Sequence, residues 1–210
     1  MIHTSHERIN LRSNLAFHIT DWLELGQRVG VQSTTNLGHR GDNSEGSLIT
    51  LSYQMPPFIP VYDVMGYHAG SRVPSTGGHI MNPVFRAWSG RNNYSKQLST
   101  NGNLYARITV FEYFNFNSTL GFHYFGNNNV NYNINEIARG SREMYDKLNE
   151  SDRFGLMWNW SNTLTFARTI NDMHNFNIMV GSEAVSEYEN WRSAFREDFF
   201  STEPNYMKLD

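Results

Sequence analysis

The sequence predicts an all-β fold: an antiparallel up-and-down arc of a transmembrane β-barrel, about six strands in three hairpins, with long loops that carry short helices. Three observations predict it. Apolar and polar residues alternate with period two over long stretches, short turns alternate with long connections, and the composition suits strands. Hydrophobic residues fill 39% of the 210 positions and aromatics 14%. Few aliphatics with many rings and asparagines favour pleated sheets and polar loops over helix bundles.

The first hairpin is read from the N-terminal third. Ile9, Leu11, Ser13, Leu15, Phe17 and Ile19 fall on one face, and Arg8, Asn10, Arg12, Asn14, Ala16, His18 and Thr20 on the other. Such alternation is too long and regular for one side of a helix. After a turn at Asp21-Trp22 the pattern resumes, with Leu23, Leu25, Val29 and Val31 opposing Glu24, Gly26, Arg28, Gly30 and Gln32. A second hairpin covers residues 102–125. Leu104, Ala106, Ile108 and Val110 form one apolar arm, the chain turns near Phe111-Glu112-Tyr113, and Phe114, Phe116, Leu120, Phe122 and Tyr124 return. A third covers 154–184, descending through Leu156, Trp158, Trp160, Leu164 and Phe166 and returning through Phe176, Ile178, Val180 and Ala184. Ser13, Gln27, Ser118, Asn162 and Ser182 interrupt the apolar faces, and Asn162 fits least well.

Alternation alone also suits a secreted β-sandwich with a carbohydrate-binding loop end, the competing reading. Connection lengths favour the barrel. Turns within hairpins are short, whereas residues 35–97, 126–153 and 185–210 are read as long connections. So long a first connection argues against a compact soluble domain, while short periplasmic turns and long external loops are usual in outer-membrane barrels. Rings near the tight turns (Phe17, Trp22, Tyr113, Phe114, Phe116) and away from them (Phe122, Tyr124, Trp158, Trp160) match two interfacial aromatic belts. Backbone groups in hydrocarbon must all be paired, so a spanning sheet has to close. Six strands are fewer than the roughly eight of the smallest closed single-chain barrels. The chain is therefore expected to be one arc, completed by strands elsewhere. The N-terminus also lacks the basic and apolar regions of a signal peptide.

Within the loops, residues 44–56 are expected to form a short helix capped by Ser44, and 60–67 a small hairpin. Ser71 to Gly78 is rich in glycine and serine and leads to Asn82-Pro83. Residues 184–198 show helical spacing, with Val185 and Tyr188 three apart and Trp191 and Phe195 four apart.

Several chemistries find no support. A net charge of −3 offers no basic footprint for nucleic acid. Without cysteine there is neither a disulfide framework nor a thiolate metal site. No cofactor is expected. The histidines lack His-x-x-x-His spacing, and the run Asp42-Asn43-Ser44-Glu45-Gly46 is an incomplete calcium loop. Glu183, Glu187 and Glu189 supply carboxylates without the fixed geometry of a glycosidase pair. Nothing in the sequence marks an enzyme: no phosphate loop and no nucleophile elbow is present.

In order and spacing, several segments resemble the SusC/RagA family of TonB-dependent outer-membrane transporters of Bacteroidota. They are Arg8-Ile9-Asn10-Leu11-Arg12-Ser13-Asn14, Trp22-Leu23-Glu24-Leu25-Gly26, Pro57-Phe58-Ile59-Pro60-Val61-Tyr62-Asp63 with Gly66, and Asn82-Pro83-Val84. Asn103-Leu104-Tyr105-Ala106 and Asn175-Phe176-Asn177-Ile178-Met179-Val180-Gly181-Ser182-Glu183 follow. The resemblance implies a barrel of about 22 strands with a plugged lumen, set in outer-membrane lipid and lidded by a SusD-like lipoprotein. It implies import of oligosaccharides or peptides, powered through TonB. It also implies that residues 1–210 are a partial barrel without the plug or the closing C-terminal strand, transporting nothing alone. On this reading Arg12, Asn14, His18, Glu24, Arg28, Arg107 and His123 face the lumen or the plug, and the loop aromatics Tyr62, Tyr67 and Trp88 contact substrate.

Overall fold

The computed structural model describes residues 3–39, 47–70, 80–134, 146–171 and 173–209. The strands are β1 (Ser5–Thr20), β2 (Leu23–Leu37), β3 (Tyr94–Val110), β4 (Phe114–Asn133), β5 (Lys147–Ile170) and β6 (His174–Glu197). They form one antiparallel sheet in sequence order, the up-and-down meander that alternation predicts. Turns fall where alternation breaks, at Asp21-Trp22, at Phe111-Glu112-Tyr113 and after Ile170. Phe111 and Glu112 both take positive φ, 52° and 61°. That conformation lets a tight turn follow the strand twist, and it strains residues that are not glycine.

Directly opposed residues share a face, so the register defines two surfaces. One carries the rows Leu11–Val31–Thr100–Tyr124–Leu156–Tyr188 and Leu15–Gln27–Leu104–Leu120–Trp160–Ala184. Nearer the tight turns it carries Leu23, Ile108, Phe116, Leu164 and Val180. The polar interruptions meet one another on this face. Ser118, Asn162 and Ser182 are register neighbours, Gln27 donates to Ser13 Oγ at 3.4 Å, and Trp160 Nε1 donates to Ser118 Oγ at 3.0 Å. Grouping these side chains lets them satisfy each other's hydrogen-bonding capacity within an apolar face.

This apolar face is bare. Leu104 and Trp160, on interior strands, remain 44% and 49% exposed, and Leu11 on the margin 70%. A Leu, Ile or Phe left fully wet forgoes about 1.5–3 kcal/mol of burial, and a fraction of that loss is repeated across the whole face. A sandwich would cover it with a second sheet; the described residues hold one sheet only. Among them β1 and β6 also pair on one side only, leaving two open margins.

The strands are longer than alternation suggests. β2 continues to Leu37, β3 begins at Tyr94, β4 ends at Asn133 and β5 begins at Lys147. The connections shrink accordingly to 38–93, 134–146 and the segment after β6. At 24 residues each, β5 and β6 exceed the roughly 9–11 that cross a bilayer. Their outer ends lie beyond the apolar band, where both faces are polar or mixed and period two disappears from the sequence. Residues 184–198 are thus strand through Glu197 rather than a helix: pairing with β5 overrides the i+3 and i+4 spacing, which divides Tyr188 and Trp191 between opposite faces.

Outside the band a small core forms on the same face. Val130, Leu148 and Met207 are buried, with Tyr94, Tyr132, Phe199 and Leu209 packed around them. The segment after β6 folds back over β4 and β5, held by Arg196 Nη1 donating to the Lys208 carbonyl at 3.2 Å. In the β2–β3 connection, α1 (Leu48–Gln54) is capped by Ser47, whose Oγ accepts from the Thr50 N–H at 3.1 Å; the expected cap Ser44 lies outside the described residues. The expected hairpin at 60–67 is reduced to one bridge, Tyr62 to His68, closed by a turn at Gly66 (φ 87°). A second helix, α2 (Pro83–Ser89), was not expected.

Candidate functional site on the polar face and its loop

Arg12, Asn14, His18, Glu24, Arg28, Arg107 and His123 all lie on the face opposite the apolar band. The register sets them in three rows: Arg12–Gly30–Asn101–His123, Asn14–Arg28–Asn103 and His18–Glu24–Arg107. Glu24 is the hub of the last. Its carboxylate accepts from Tyr105 Oη at 3.0 Å and from Arg107 Nη1 at 3.4 Å, and His18 Nε2 stands 3.8 Å away. The guanidinium carbons of Arg107 and Arg28 lie 5.1 and 5.6 Å from the centre of the Tyr105 ring. Gly26, which pairs with Tyr105, leaves room for that ring: any side chain at position 26 would collide with it. Beside the cluster, Arg28, Asn103, Arg107, Asn117 and Thr119 border a hollow of about 240 Å³. Tyr105 was not picked out from sequence, although its place in the alternation puts it beside Arg107.

Charge is segregated across this face. Arg8, Arg12, Arg28 and Arg107 occupy β1–β3, while Glu183, Glu187, Glu189 and Glu197 line β6. Between them Arg153 Nε donates to Glu189 Oε1 at 2.6 Å, and Lys147 Nζ meets Glu197 at 3.0 Å. Exposed pairs of this kind add little stability. Their effect is a field that is positive at one side of the wall and negative at the other.

The β2–β3 connection closes over the outer end of the polar face. Its ends are joined by the Gly38 N–H donating to the Asn93 carbonyl at 2.7 Å, and Asn93 Oδ1 accepts from the Tyr132 N–H at 2.7 Å. Asn82 organises the middle. Its Oδ1 caps α2 by accepting from the Val84 N–H at 2.9 Å, and Nδ2 donates to the carbonyls of Val61 (2.9 Å) and Ala69 (3.0 Å). With Pro83 at the first helical position, this is a standard helix start. It brings Tyr62 and Trp88 together around His68, with ring centroids 5.2 and 5.8 Å from the imidazole. Arg91 stacks on Trp88 at 4.0 Å. Tyr67 is exposed, and its backbone is tied to Asp63. So two of the three loop aromatics converge, bordering an apolar hollow of about 290 Å³ with Leu48, Pro83 and Val84.

A second hollow, about 400 Å³, lies where the loop meets the sheet. Asn36, Asn93, Asn129 and Asn131 line it with Ser95, Ser151 and Arg86. Such a wall presents paired donors and acceptors and suits a ligand rich in amides or hydroxyls. Among the described residues no three or more His, Asp or Glu side chains converge as a metal group would require. The run 42–46 lies outside the described residues.

An open meander with a bare apolar face and a hydrogen-bonding polar face is an arc of β-barrel wall. No protein-family model matches the sequence, and no curated protein matches it significantly. The chain is similar in fold to solved structures of the RagAB peptide importer. Against its closed-closed state the TM-score is 0.72 at 18% identity, and against its open-open state 0.71 at 18%. A structure of the RagAB peptide transporter gives 0.70 at 16%. Each match covers 98% of this chain and 24% of the other, so the chain spans about a quarter of the length of these neighbours.

Proposed function

We propose that the chain forms part of the wall of a SusC-like TonB-dependent transporter of the outer membrane, importing peptides or oligosaccharides with a SusD-like lipoprotein as lid. The observation that carries this reading is the sheet itself: a bare apolar band on one face, hydrogen-bonding groups on the other, and two open margins. Lipid removes the cost of the first, and further strands of a complete barrel remove the cost of the last. Likeness in fold to a peptide importer supports it. On this reading the long connections face the exterior, and the rows around Glu24 face the lumen or a plug within it. Segregated charge would let a plug with complementary patches seat in one orientation. No enzymatic step is assigned.

Substrate would be met at the outer mouth. The asparagine-lined hollow suits a peptide backbone, and the rings of Tyr62, Tyr67 and Trp88 suit apolar side chains or sugar faces. Replacing the three aromatics by Ala in the complete transporter is expected to lower uptake or ligand affinity; unchanged values for both would remove them from the site. The membrane reading is tested separately. Single cysteines, absent from the native chain, are placed at Leu104, Leu120 and Trp160 and at their neighbours Asn103, Thr119 and Ser161, and spin-labelled. In reconstituted barrels the first group should be relaxed by oxygen partitioned in lipid and the second by an aqueous nickel chelate. Aqueous quenching of both groups alike would rule out a lipid-facing band.

A further inference from the structure

The hollow beside Tyr105 is lined by polar groups that mostly lack partners. Because the Tyr105 ring leans over Gly26 on β2, the wall on its other side is left to Asn103, Arg107, Asn117 and Thr119, with Arg28 beside Asn103. Arg28 and Arg107 stand at opposite ends of this strip, in the rows of Asn103 and Asn117. Both guanidinium groups turn toward the ring between them, their carbons 5.6 and 5.1 Å from its centre.

The charges here do not cancel. Arg107 meets Glu24 at 3.4 Å, whereas Arg28 meets no carboxylate among the described residues. The side chains of Asn103, Asn117 and Thr119 likewise make no hydrogen bond among them. Two guanidinium groups against one carboxylate leave a single positive charge over, with His18 3.8 Å from Glu24 on the far side. Glu183 shares a row with Thr119, but Ser161 on β5 separates them.

We propose that this hollow binds one carboxylate of a solute in the lumen, held by Arg28 and Arg107 and by the N–H and O–H donors between them. The assignment rests on the reading above that this face lines the lumen. A carboxylate matches the two parallel N–H donors of a guanidinium group, and its single charge matches the single charge left over. Arg8, Arg12, Arg28 and Arg107 against Glu24 alone keep the potential of β1–β3 positive, which draws anions to this wall. The same face of β4 runs on to Asn127, Asn129 and Asn131, the last two beside the outer hollow, and places no carboxylate on that path.

The test uses the complete transporter in phosphatidylcholine nanodiscs. Phenylglyoxal labels accessible guanidinium groups, labelled positions are mapped by peptide mass spectrometry, and the probe is a sodium acetate series against sodium chloride at equal ionic strength. Acetate should slow labelling of Arg28 and leave Arg12, on the same face, unchanged. Arg107→Gln should need about tenfold more acetate for the same protection, the worth of one charge-assisted hydrogen bond. Thr119→Leu, which fills the hollow and spares both arginines, should abolish it. No protection of Arg28, equal protection of Arg12, or equal protection of Arg28 in all three proteins overturns the site. Protection by inorganic phosphate at lower concentration than acetate would mean an anion site that does not select carboxylates, and would also overturn it. Arg28 unreactive with and without acetate would mean that another part of the complete protein already covers it, which rules out a solute site. Failure of the unmodified protein to enter nanodiscs refutes the membrane reading, and the lumen with it.

Discussion

The ring of Tyr105 fills the place of a side chain at Gly26, and from there its hydroxyl reaches Glu24 at 3.0 Å. One missing Cβ on β2 thus sets the position of a hydrogen bond on β3. Gly26→Ala should push the ring off the wall and destabilise the sheet by about 1–3 kcal/mol, as overpacking does elsewhere. The same change in a Tyr105→Ala background should cost much less, because the ring it collides with is gone. Denaturant titration of the reconstituted barrel measures both, and equal costs in the two backgrounds would dissolve the relationship.

Leu104 and Asn103 are chain neighbours on opposite faces. Arginine at 104 should oppose insertion by about 2–4 kcal/mol if that side meets the bilayer midplane. Arginine at 103, beside the existing Arg28, should leave insertion nearly unchanged and cost only local repulsion. Folding into lipid vesicles across a urea series separates the two, and similar losses at both positions would contradict the assignment of faces.

Ser118 accepts from the Trp160 indole N–H, which on the proposed lipid-facing reading would otherwise meet hydrocarbon. Ser118→Ala should cost about 0.6–1.7 kcal/mol, the range for interhelical hydrogen bonds in bilayers, applied here between strands. Trp160→Phe removes the donor together with its need for an acceptor, so the double variant should be no worse than Trp160→Phe alone. Additive losses would show that the bond contributes nothing.

Asn82 is 4% exposed and holds three backbone strands of one loop with a single side chain. Asn82→Ala takes the side-chain donor from the Ala69 carbonyl and one of two donors from the Val61 carbonyl, which keeps the Ala69 N–H, and it uncaps α2. At about 1 kcal/mol for the cap and a further 1–3 for the Ala69 carbonyl, the loop should open locally. Hydrogen exchange across 61–91 should rise sharply while the strand amides stay protected. Unchanged exchange would mean that other contacts organise the loop.

Sequence was a good guide where one face of a strand is apolar and the other polar. The hairpin turns at 21–22 and 111–113, and the common face of Arg12, Arg28, Arg107 and His123, follow directly from period two. It failed where that contrast vanishes. From 94 to 101 in β3, and over the last third of β6, both faces are polar or mixed, so strands looked like loop or helix. The start of α2 was missed, although Asn82 before Pro83 is a cap followed by a first-turn proline and could have signalled it. The Tyr105–Gly26–Glu24 arrangement was not, because it depends on which strands lie side by side and in what register.

The contact between Gly38 and Asn93 brings the two stems of the β2–β3 connection within one hydrogen bond of each other. Whatever lies between them can then be exchanged as a cassette, since the wall below needs only that its two ends stay together. Residues 39–92 could be transplanted as a unit without changing any strand of the sheet.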